Sequence, residues 1–303
     1  MVNNVVILGV TASTRLILDQ EFPALKKVDV EPYNIRYSKF IPLSMKLLLD
    51  SSRISAVIKK EHKQLLQLVK DHKIDVVISD NRFGLYHQSI ETVYITHQLN
   101  VKAGIWSALA NRIHHRFIRK FTKVWVPDFE DTGKTLAGDL SRHPGLKVSQ
   151  YLGPLSRLDP GITKTSSFDY LVLLSGVEPQ RSILEEKLCE KMKVSSKKIC
   201  LVRGTNVPFK FVLPKNVEVI DLPNALQLAQ CIRNAETVIC RSGYSTLMDL
   251  HSFNKEKLVL IPTPGQSEQL YLANYWQEKF KVHVVFQSRV EGWNFDGQFT
   301  NGL

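Results

Sequence analysis

Short apolar runs recur along the chain, and segments with helical periodicity separate them. Most runs are continuously apolar rather than alternating, which is typical of parallel strands covered on both faces. Helices are predicted between them, among others over Ser55–His72 and Arg181–Met192. The predicted strands are Val5–Val10, Asp75–Ser79, Thr92–Thr96, Lys123–Val126, Tyr170–Leu174, Lys198–Val202, Val217–Asp221, Thr237–Cys240 and Leu258–Ile261. The pattern therefore predicts an α/β protein with parallel sheets and helices on both faces.

The strands fall into two successive groups, separated by a stretch rich in Pro, Gly, Ser and Thr, YLGPLSRLDPGITKTSSFDY. Such composition is typical of a linker. We expect a first Rossmann-like domain over residues 1–155, a linker over 156–168 and a second Rossmann-like domain over 169–303. A length of 303 residues fits two ordinary domains.

Composition restricts the setting. Apolar residues make up 44% of the chain and charged residues 23%, as in soluble globular proteins. The four cysteines have no CxxC spacing, so we expect buried free thiols and a cytoplasmic protein. The net charge of +11 favours a polyanionic partner. Nucleic acid is not expected, because zinc-finger spacing and RNA-binding aromatic signatures are missing.

A Ser-Gly turn follows the strand that ends at Cys240. In Arg241-Ser242-Gly243-Tyr244-Ser245-Thr246, Gly243 allows a ligand to approach the backbone closely. Ser242, Ser245 and Thr246 offer hydroxyls, and the helix N-terminus offers free N–H groups. These features suit a diphosphate. The alternative is a structural N-cap, with Ser242 capping Ser245.

Two further loops have the same character. Ser267, Glu268 and Gln269 begin a helix after the next strand, where the two polar side chains could bind sugar hydroxyls or Ser267 could simply cap the helix. Ser175-Gly176 follows the first strand of the second group, and Arg181 opens the helix after it. Three such loops in one sheet indicate a nucleotide site.

Several of these segments resemble family 28 glycosyltransferases. CRSGYSTLMDL (240–250), IPTPGQSEQLYLAN (261–274) and LLSGVEPQR (173–181) are similar to the C-terminal, donor-binding domain of that family, over about residues 168–288. The family includes the bacterial enzyme that adds N-acetylglucosamine to the lipid-linked peptidoglycan precursor. SDNRFG (79–84) and ITHQL (95–99) resemble the N-terminal domain. The resemblance implies the two-domain GT-B fold.

The resemblance also implies roles for individual residues. Ser242 and Gly243 would meet the donor diphosphate, with Ser245 and Thr246 at the helix start. Asp249, six positions after Gly243, would hold the ribose, and Gln269 would contact the donor sugar. One departure stands out: the Gly-rich Gly-His loop that follows the family's first strand has no counterpart. We therefore expect a chain that lacks this first strand and loop, since VVILGVTASTRLILDQEFP resembles what normally follows them.

The catalytic base has two candidates. Asp80 and His97 each end an apolar strand of the first domain. Either could take the proton from an acceptor hydroxyl, and either could be a structural hydrogen-bonding residue. Arg82 could orient an acceptor phosphate or pair with Asp80.

A basic amphipathic segment covers Ala108–Lys123, with Leu109, Ile113, Phe117 and Phe121 on one face. We favour an ordinary helix whose apolar face packs in the core. The alternative is attraction to anionic lipid, which would suit a lipid-linked acceptor and a peripheral position on the inner face of the membrane.

Together these observations predict an inverting transferase that moves a hexose or N-acetylhexosamine from a UDP-sugar to an acceptor. No metal and no cofactor is expected, because helix dipoles and N–H groups can carry the leaving diphosphate. Two alternatives stay open: a nucleotide-sugar epimerase of the same fold, and an inactive fragment that binds nucleotide sugars.

Overall fold

The structure, a computed structural model, describes residues 4–32, 51–161 and 167–296. They form two compact units. The first unit lies within Met1–Pro127 and Asp139–Leu152, and the second within Asp128–Gly138 and Gly153–Leu303. The segment 128–138 therefore belongs to the second unit, which the sequence did not predict. Residues 162–166 of the expected linker lie outside the described residues.

The first unit contains two parallel sheets among its described residues. One sheet is β1-β2 and the other is β3-β4-β5-β6. The strands are β1 (Ile7–Val10), β2 (Lys26–Asp29), β3 (Val76–Asp80), β4 (Glu91–Ile95), β5 (Lys123–Val126) and β6 (Gln150–Tyr151). The helices are α1 (Ala12–Glu21), α2 (Ser51–His72) and α3 (Ser107–Ile118), with a 3₁₀ turn at Gly104–Trp106.

The second unit is built around one six-stranded parallel sheet of order β12-β11-β10-β7-β8-β9. Its strands are β7 (Phe168–Leu173), β8 (Ile199–Val202), β9 (Val217–Ile220), β10 (Ala235–Cys240), β11 (Leu258–Leu260) and β12 (His283–Val284). Its helices are α4 (Gln180–Met192), α5 (Ala225–Asn234), α6 (Tyr244–Ser252) and α7 (Ser267–Phe280), and a 3₁₀ helix covers Gln287–Gly292.

Apolar runs account for the central strands of this sheet. All four residues of β8 are buried, as are Leu171–Leu173 in β7 and Thr237–Cys240 in β10. Such strands have no solvent-facing side and read as continuous apolar runs. Strands β2, β6 and β12 were missed, because β6 and β12 are only two residues long and β2 has the Lys-rich sequence KKVD.

The strand order creates a switch point between β7 and β10. From β7 the chain continues to β8 and β9 on one side, and then returns to β10 and β11 on the other. Ligands of open α/β sheets bind at such a point, beyond the carboxyl ends of the strands. No helix in the described part of the chain is long and apolar enough to cross a bilayer.

Candidate functional site

The three predicted loops follow three adjacent strands. Strand β10 pairs with β7 on one side and with β11 on the other, all in parallel. The loop after each strand therefore begins at the same edge of the sheet. The backbone N–H of Ile261 also donates to the oxygen of Cys240 at 2.8 Å, which continues the pairing up to the loops.

Helix α6 begins beside open space. Its N-cap is Gly243, with φ −77° and ψ 136°, and no side chain caps the helix. The interpretation of Ser242 as a structural cap is therefore wrong. A Cβ placed on Gly243 would meet no atom within 4 Å. Ser245 is exposed and Thr246 is half-buried. The helix N-terminus thus offers N–H groups and hydroxyls that protein side chains do not occupy as caps.

Ser242 and Gln269 join the loops to one another. Ser242 is fully buried, and its hydroxyl donates to the backbone oxygen of Gln269 at 2.7 Å. The Oε1 atom of Gln269 accepts from the backbone N–H of Thr263 at 2.9 Å. Both side chains therefore hold the loops after β10 and β11 together. The Gln269 amide nitrogen has no partner among the described residues and remains available as a donor.

Helix α7 begins without a side-chain cap as well. Its N-cap is Gln266, so Ser267 is the first helical residue and does not cap the helix. Glu268 lies half-buried in the first turn.

The loop after β7 contains one open position and one that is filled. Gly176 has φ +99°, and a Cβ placed on it would meet no atom within 4 Å, so the turn is free of neighbours there. Arg181, in contrast, is buried, and its guanidinium pairs with Glu178 at 2.6 Å and Glu185 at 3.2 Å. Arg181 was predicted to contact the donor. In the structure its guanidinium binds these two carboxylates instead. Ser175 is half-buried.

Asp249 lies on α6 and is held by a residue of the expected linker. Its Oδ1 atom accepts a hydrogen bond from Ser156 Oγ at 2.6 Å. Burial raises the pKa of the Asp249 carboxyl, and the bond from Ser156 and the charge of Arg157 partly offset that rise. Ser156 was missed from the sequence, since a serine in a Pro/Gly-rich stretch shows no sign of its partner.

In the first unit, Asp80 and His97 lie close enough to interact. Asp80 ends β3 and is in register with Ile95 of β4, and His97 follows two residues later. Burial raises the pKa of Asp80, and the charge of His97 lowers it by a smaller amount. Arg82 forms its ion pair with Glu61 of α2, whose side chain is fully buried.

A metal centre is not formed by the part of the chain that the structure describes, where no three His, Cys, Asp or Glu side chains cluster. All four cysteines are buried and free, as predicted.

Helix α3 presents two residues of the apolar stripe to solvent, whereas Phe121, just after the helix, packs in the core as the favoured interpretation expected. Leu109 is 41% exposed and Ile113 is 43% exposed. The residues of α3 that are buried are His114, His115 and Ile118. We define the α3 patch as Ile105, Trp106, Leu109 and Ile113 with the exposed Arg112 and Arg116.

Comparisons with known proteins agree with this geometry. Residues 176–295 match the model of the glycosyltransferase family 28 C-terminal domain. The resemblance predicted from the sequence is thereby confirmed for the second unit.

A protein of Methanosarcina mazei described as an uncharacterized glycosyltransferase is 26% identical over 225 residues. The match covers 68% of this chain and 59% of that relative, so the chain spans less than two thirds of the relative's length.

Solved structures support the fold. Arabidopsis thaliana UGT89C1 complexed with UDP-L-rhamnose has a TM-score of 0.55 at 13% identity, over 94% of this chain and 80% of that one. The spinosyn rhamnosyltransferase SpnG complexed with thymidine diphosphate has a TM-score of 0.57 at 12% identity, over 94% of this chain and 90% of that one. The predicted GT-B class, with two Rossmann-like domains, is confirmed.

Proposed function

We propose that this protein is a glycosyltransferase that transfers a hexose or N-acetylhexosamine from a UDP-sugar to an acceptor, with inversion and without a metal ion. The observation that carries the proposal is the set of three loops on adjacent strands at the switch point of a family 28 domain. Two proteins of the same fold hold UDP-L-rhamnose and thymidine diphosphate in their structures, which supports a nucleoside diphosphate donor here.

The donor site is assigned to the second unit. The N-terminus of α6, with Gly243, Ser245 and Thr246, binds the diphosphate through N–H groups and hydroxyls. Ser175 and Gly176 approach it from the loop after β7, where the backbone is open. Hydrogen-bond donors in these positions would stabilise the negative charge that develops on the leaving UDP.

Three side chains would select the rest of the donor. Asp249 accepts hydrogen bonds from the ribose hydroxyls. The hydrogen bond from Ser156 Oγ holds its carboxylate in position. The amide nitrogen of Gln269 donates a hydrogen bond to the sugar, and the carboxylate of Glu268 accepts hydrogen bonds from the sugar hydroxyls. Ser242 acts through the backbone of Gln269 rather than on the ligand directly.

The base is assigned to the first unit. Asp80 takes the proton of the acceptor hydroxyl as that oxygen attacks the sugar carbon and UDP leaves. Its raised pKa makes it a stronger base than an ordinary aspartate. His97, two residues beyond β4, is the second candidate for this role.

The α3 patch supports a peripheral position of the enzyme on the cytoplasmic face of an anionic membrane. A lipid-linked acceptor would lie in that membrane. No Asp or Glu occurs between Glu91 and Asp128, whereas Lys102, Arg112 and Arg116 do. Exposed apolar side chains among cations are typical of helices that lie in the lipid interface.

Titration calorimetry with UDP and 2′-deoxy-UDP tests the donor site. We expect UDP to bind about tenfold more tightly than its 2′-deoxy analogue, because a hydrogen bond to a charged group is lost. Asp249→Asn should remove most of this difference, and the matched control Glu186→Gln, on α4, should keep it. Absence of UDP binding to the wild-type protein would overturn the proposal.

A second assay separates transfer from epimerisation. An epimerase of this fold cleaves the sugar–phosphate bond without an acceptor, so it would release free UDP from the UDP-sugar alone. A transferase releases UDP in proportion to added acceptor. A protein that binds UDP and releases none under either condition would be a binding module.

A further inference from the structure

Three arginines among the described residues of the second unit are buried, and carboxylates neutralise two of them. Arg203 is paired with Glu185 and Asp221, both at 2.5 Å. Arg181 shares Glu185 with it. Arg241 differs, although it is only 1% exposed.

Every hydrogen bond that Arg241 donates goes to a neutral oxygen. Its Nη1 donates to the backbone oxygens of Ile261 at 3.1 Å and Pro262 at 3.3 Å. Its Nη2 donates to the backbone oxygen of Gln180 at 2.8 Å and to Oε1 of Gln287 at 2.6 Å. Its Nε is buried and has no partner among the described residues.

A buried cation without a carboxylate is unfavourable. Burial lowers the pKa of Arg241 to about 10, yet the guanidinium is still protonated at neutral pH. The second unit therefore carries a positive charge beyond the carboxyl end of β10, directly before Ser242 and Gly243, that no acid of the described residues balances.

We propose that Arg241 is a positioning residue for the donor diphosphate, whose negative charge balances the buried guanidinium. This inference rests on the proposed function and adds a residue to the same site. The guanidinium bonds the loops after β7 and β11, and it follows β10 itself, so it fixes the spacing of all three loops. Its charge also acts on the diphosphate through protein of low dielectric, where water screens little.

A merely structural arginine would behave differently. If Arg241 only held the loops, neutralising its charge without breaking those bonds would leave the affinities for UDP, UMP and uridine unchanged. If its charge stabilises the bound phosphates, the loss of affinity must increase with the number of phosphates in the ligand. The ratio of the UDP and uridine affinities is therefore the decisive quantity.

The sharpest variant keeps every side-chain volume. Gln287→Glu places a carboxylate against Nη2 of Arg241 and so supplies the missing counter-ion. The bond that Gln287 Nε2 donates to Gln180 Oε1 is replaced when the Gln180 amide rotates and donates to the new carboxylate. We expect the melting temperature to hold or rise, the UDP affinity to fall about tenfold, and the uridine affinity to stay near wild type.

Substitution of Arg241 itself gives the complementary result. Arg241→Gln should lose about tenfold more affinity for UDP than for uridine, and Arg241→Lys should keep the wild-type ratio. Arg233→Gln is the matched control, since Arg233 also donates to backbone oxygens, of Asp159 and Pro160, but precedes the amino end of β10. The control should bind all three ligands as the wild type does.

Titration calorimetry of each folded variant decides the matter, and Gln287→Glu alone suffices if Arg241→Gln does not fold. A Gln287→Glu protein with unchanged UDP affinity, or equal losses for UDP and uridine, would overturn the role of Arg241. Failure of the wild type to bind UDP would instead overturn the proposed function.

Discussion

The hydroxyl of Ser242 donates to the backbone oxygen of Gln269 at 2.7 Å and so ties the turn after β10 to helix α7. The bond is fully buried, and Gln269 extends it through Thr263 to the loop after β11. Ser242 therefore has a structural role. Ser245, three residues later, faces solvent.

Ser242→Ala and Ser245→Ala should separate these roles. Ser242→Ala removes a buried hydrogen bond to the Gln269 oxygen and should lower the free energy of unfolding by about 1 kcal/mol. Ser245→Ala should leave stability unchanged and weaken UDP binding. Chemical denaturation and calorimetry measure the two effects, and a Ser242→Ala protein of wild-type stability would contradict the assignment.

Gly243 provides a test of the open space beside α6. Its φ of −77° is accessible to any residue, and a Cβ there has no neighbour within 4 Å. Gly243→Ala should therefore keep the melting temperature, but its methyl group would occupy the diphosphate position. We expect UDP affinity to fall at least about tenfold. A Gly243→Ala protein that binds UDP normally would exclude close approach at this turn.

The sequence predicted the parallel strands and their loops because buried strands carry long apolar runs, as Leu171–Leu173 do. It could not predict which side chains the loops bind, since Ser242 and Gln269 are 27 residues apart and meet only through the strand order. The neutral surroundings of Arg241 were equally hidden. They come from Gln180, Ile261 and Gln287, which belong to three separate segments.

The burial of residues in helix α3 could not be predicted from the sequence pattern alone. Periodicity identified its apolar stripe, but two of those residues face solvent and two histidines occupy the buried side. His114 and His115 can be buried because Nε2 of each ring meets a backbone oxygen, that of Gln98 for His114 and that of Leu99 for His115. Sequence periodicity carries no information on such partners.

Asp80 and His97 should affect turnover and not donor binding. Asp80→Asn should lower kcat by at least about 100-fold if its carboxylate is the base, with UDP affinity unchanged. Because the pKa of Asp80 is raised above 3.8, the acidic limb of the wild-type pH profile should lie above that value and vanish in Asp80→Asn. His97→Gln is measured in parallel. If only His97→Gln abolishes transfer, the histidine is the base.

The α3 patch should bind anionic vesicles. Leu109→Ser combined with Ile113→Ser removes apolar area, and Arg112→Gln combined with Arg116→Gln removes charge that no described residue neutralises. Each pair should weaken binding to phosphatidylglycerol vesicles about tenfold, and only the charge effect should shrink at high salt.

Val212→Ser controls for the loss of an exposed apolar side chain, because Val212 is 88% exposed in the second unit. Vesicle sedimentation measures the binding of the two double variants and of Val212→Ser. Binding that neither pair of substitutions changes would show that the patch does not face lipid.

His114 should make the first unit sensitive to acid. Burial lowers the pKa of His114 to about 4, the bond to Gln98 opposes this, and the charge of His115 adds to it. An unfolded histidine titrates near 6.5, so between these values the unfolded chain binds more protons and stability falls as the pH is lowered. The loss reaches about 3 kcal/mol at pH 4. His114→Gln keeps a donor for the oxygen of Gln98 and cannot titrate, so its stability should fall less than that of the wild type between pH 7 and pH 4. Urea denaturation at several pH values measures the difference, and parallel curves for both proteins would contradict the prediction.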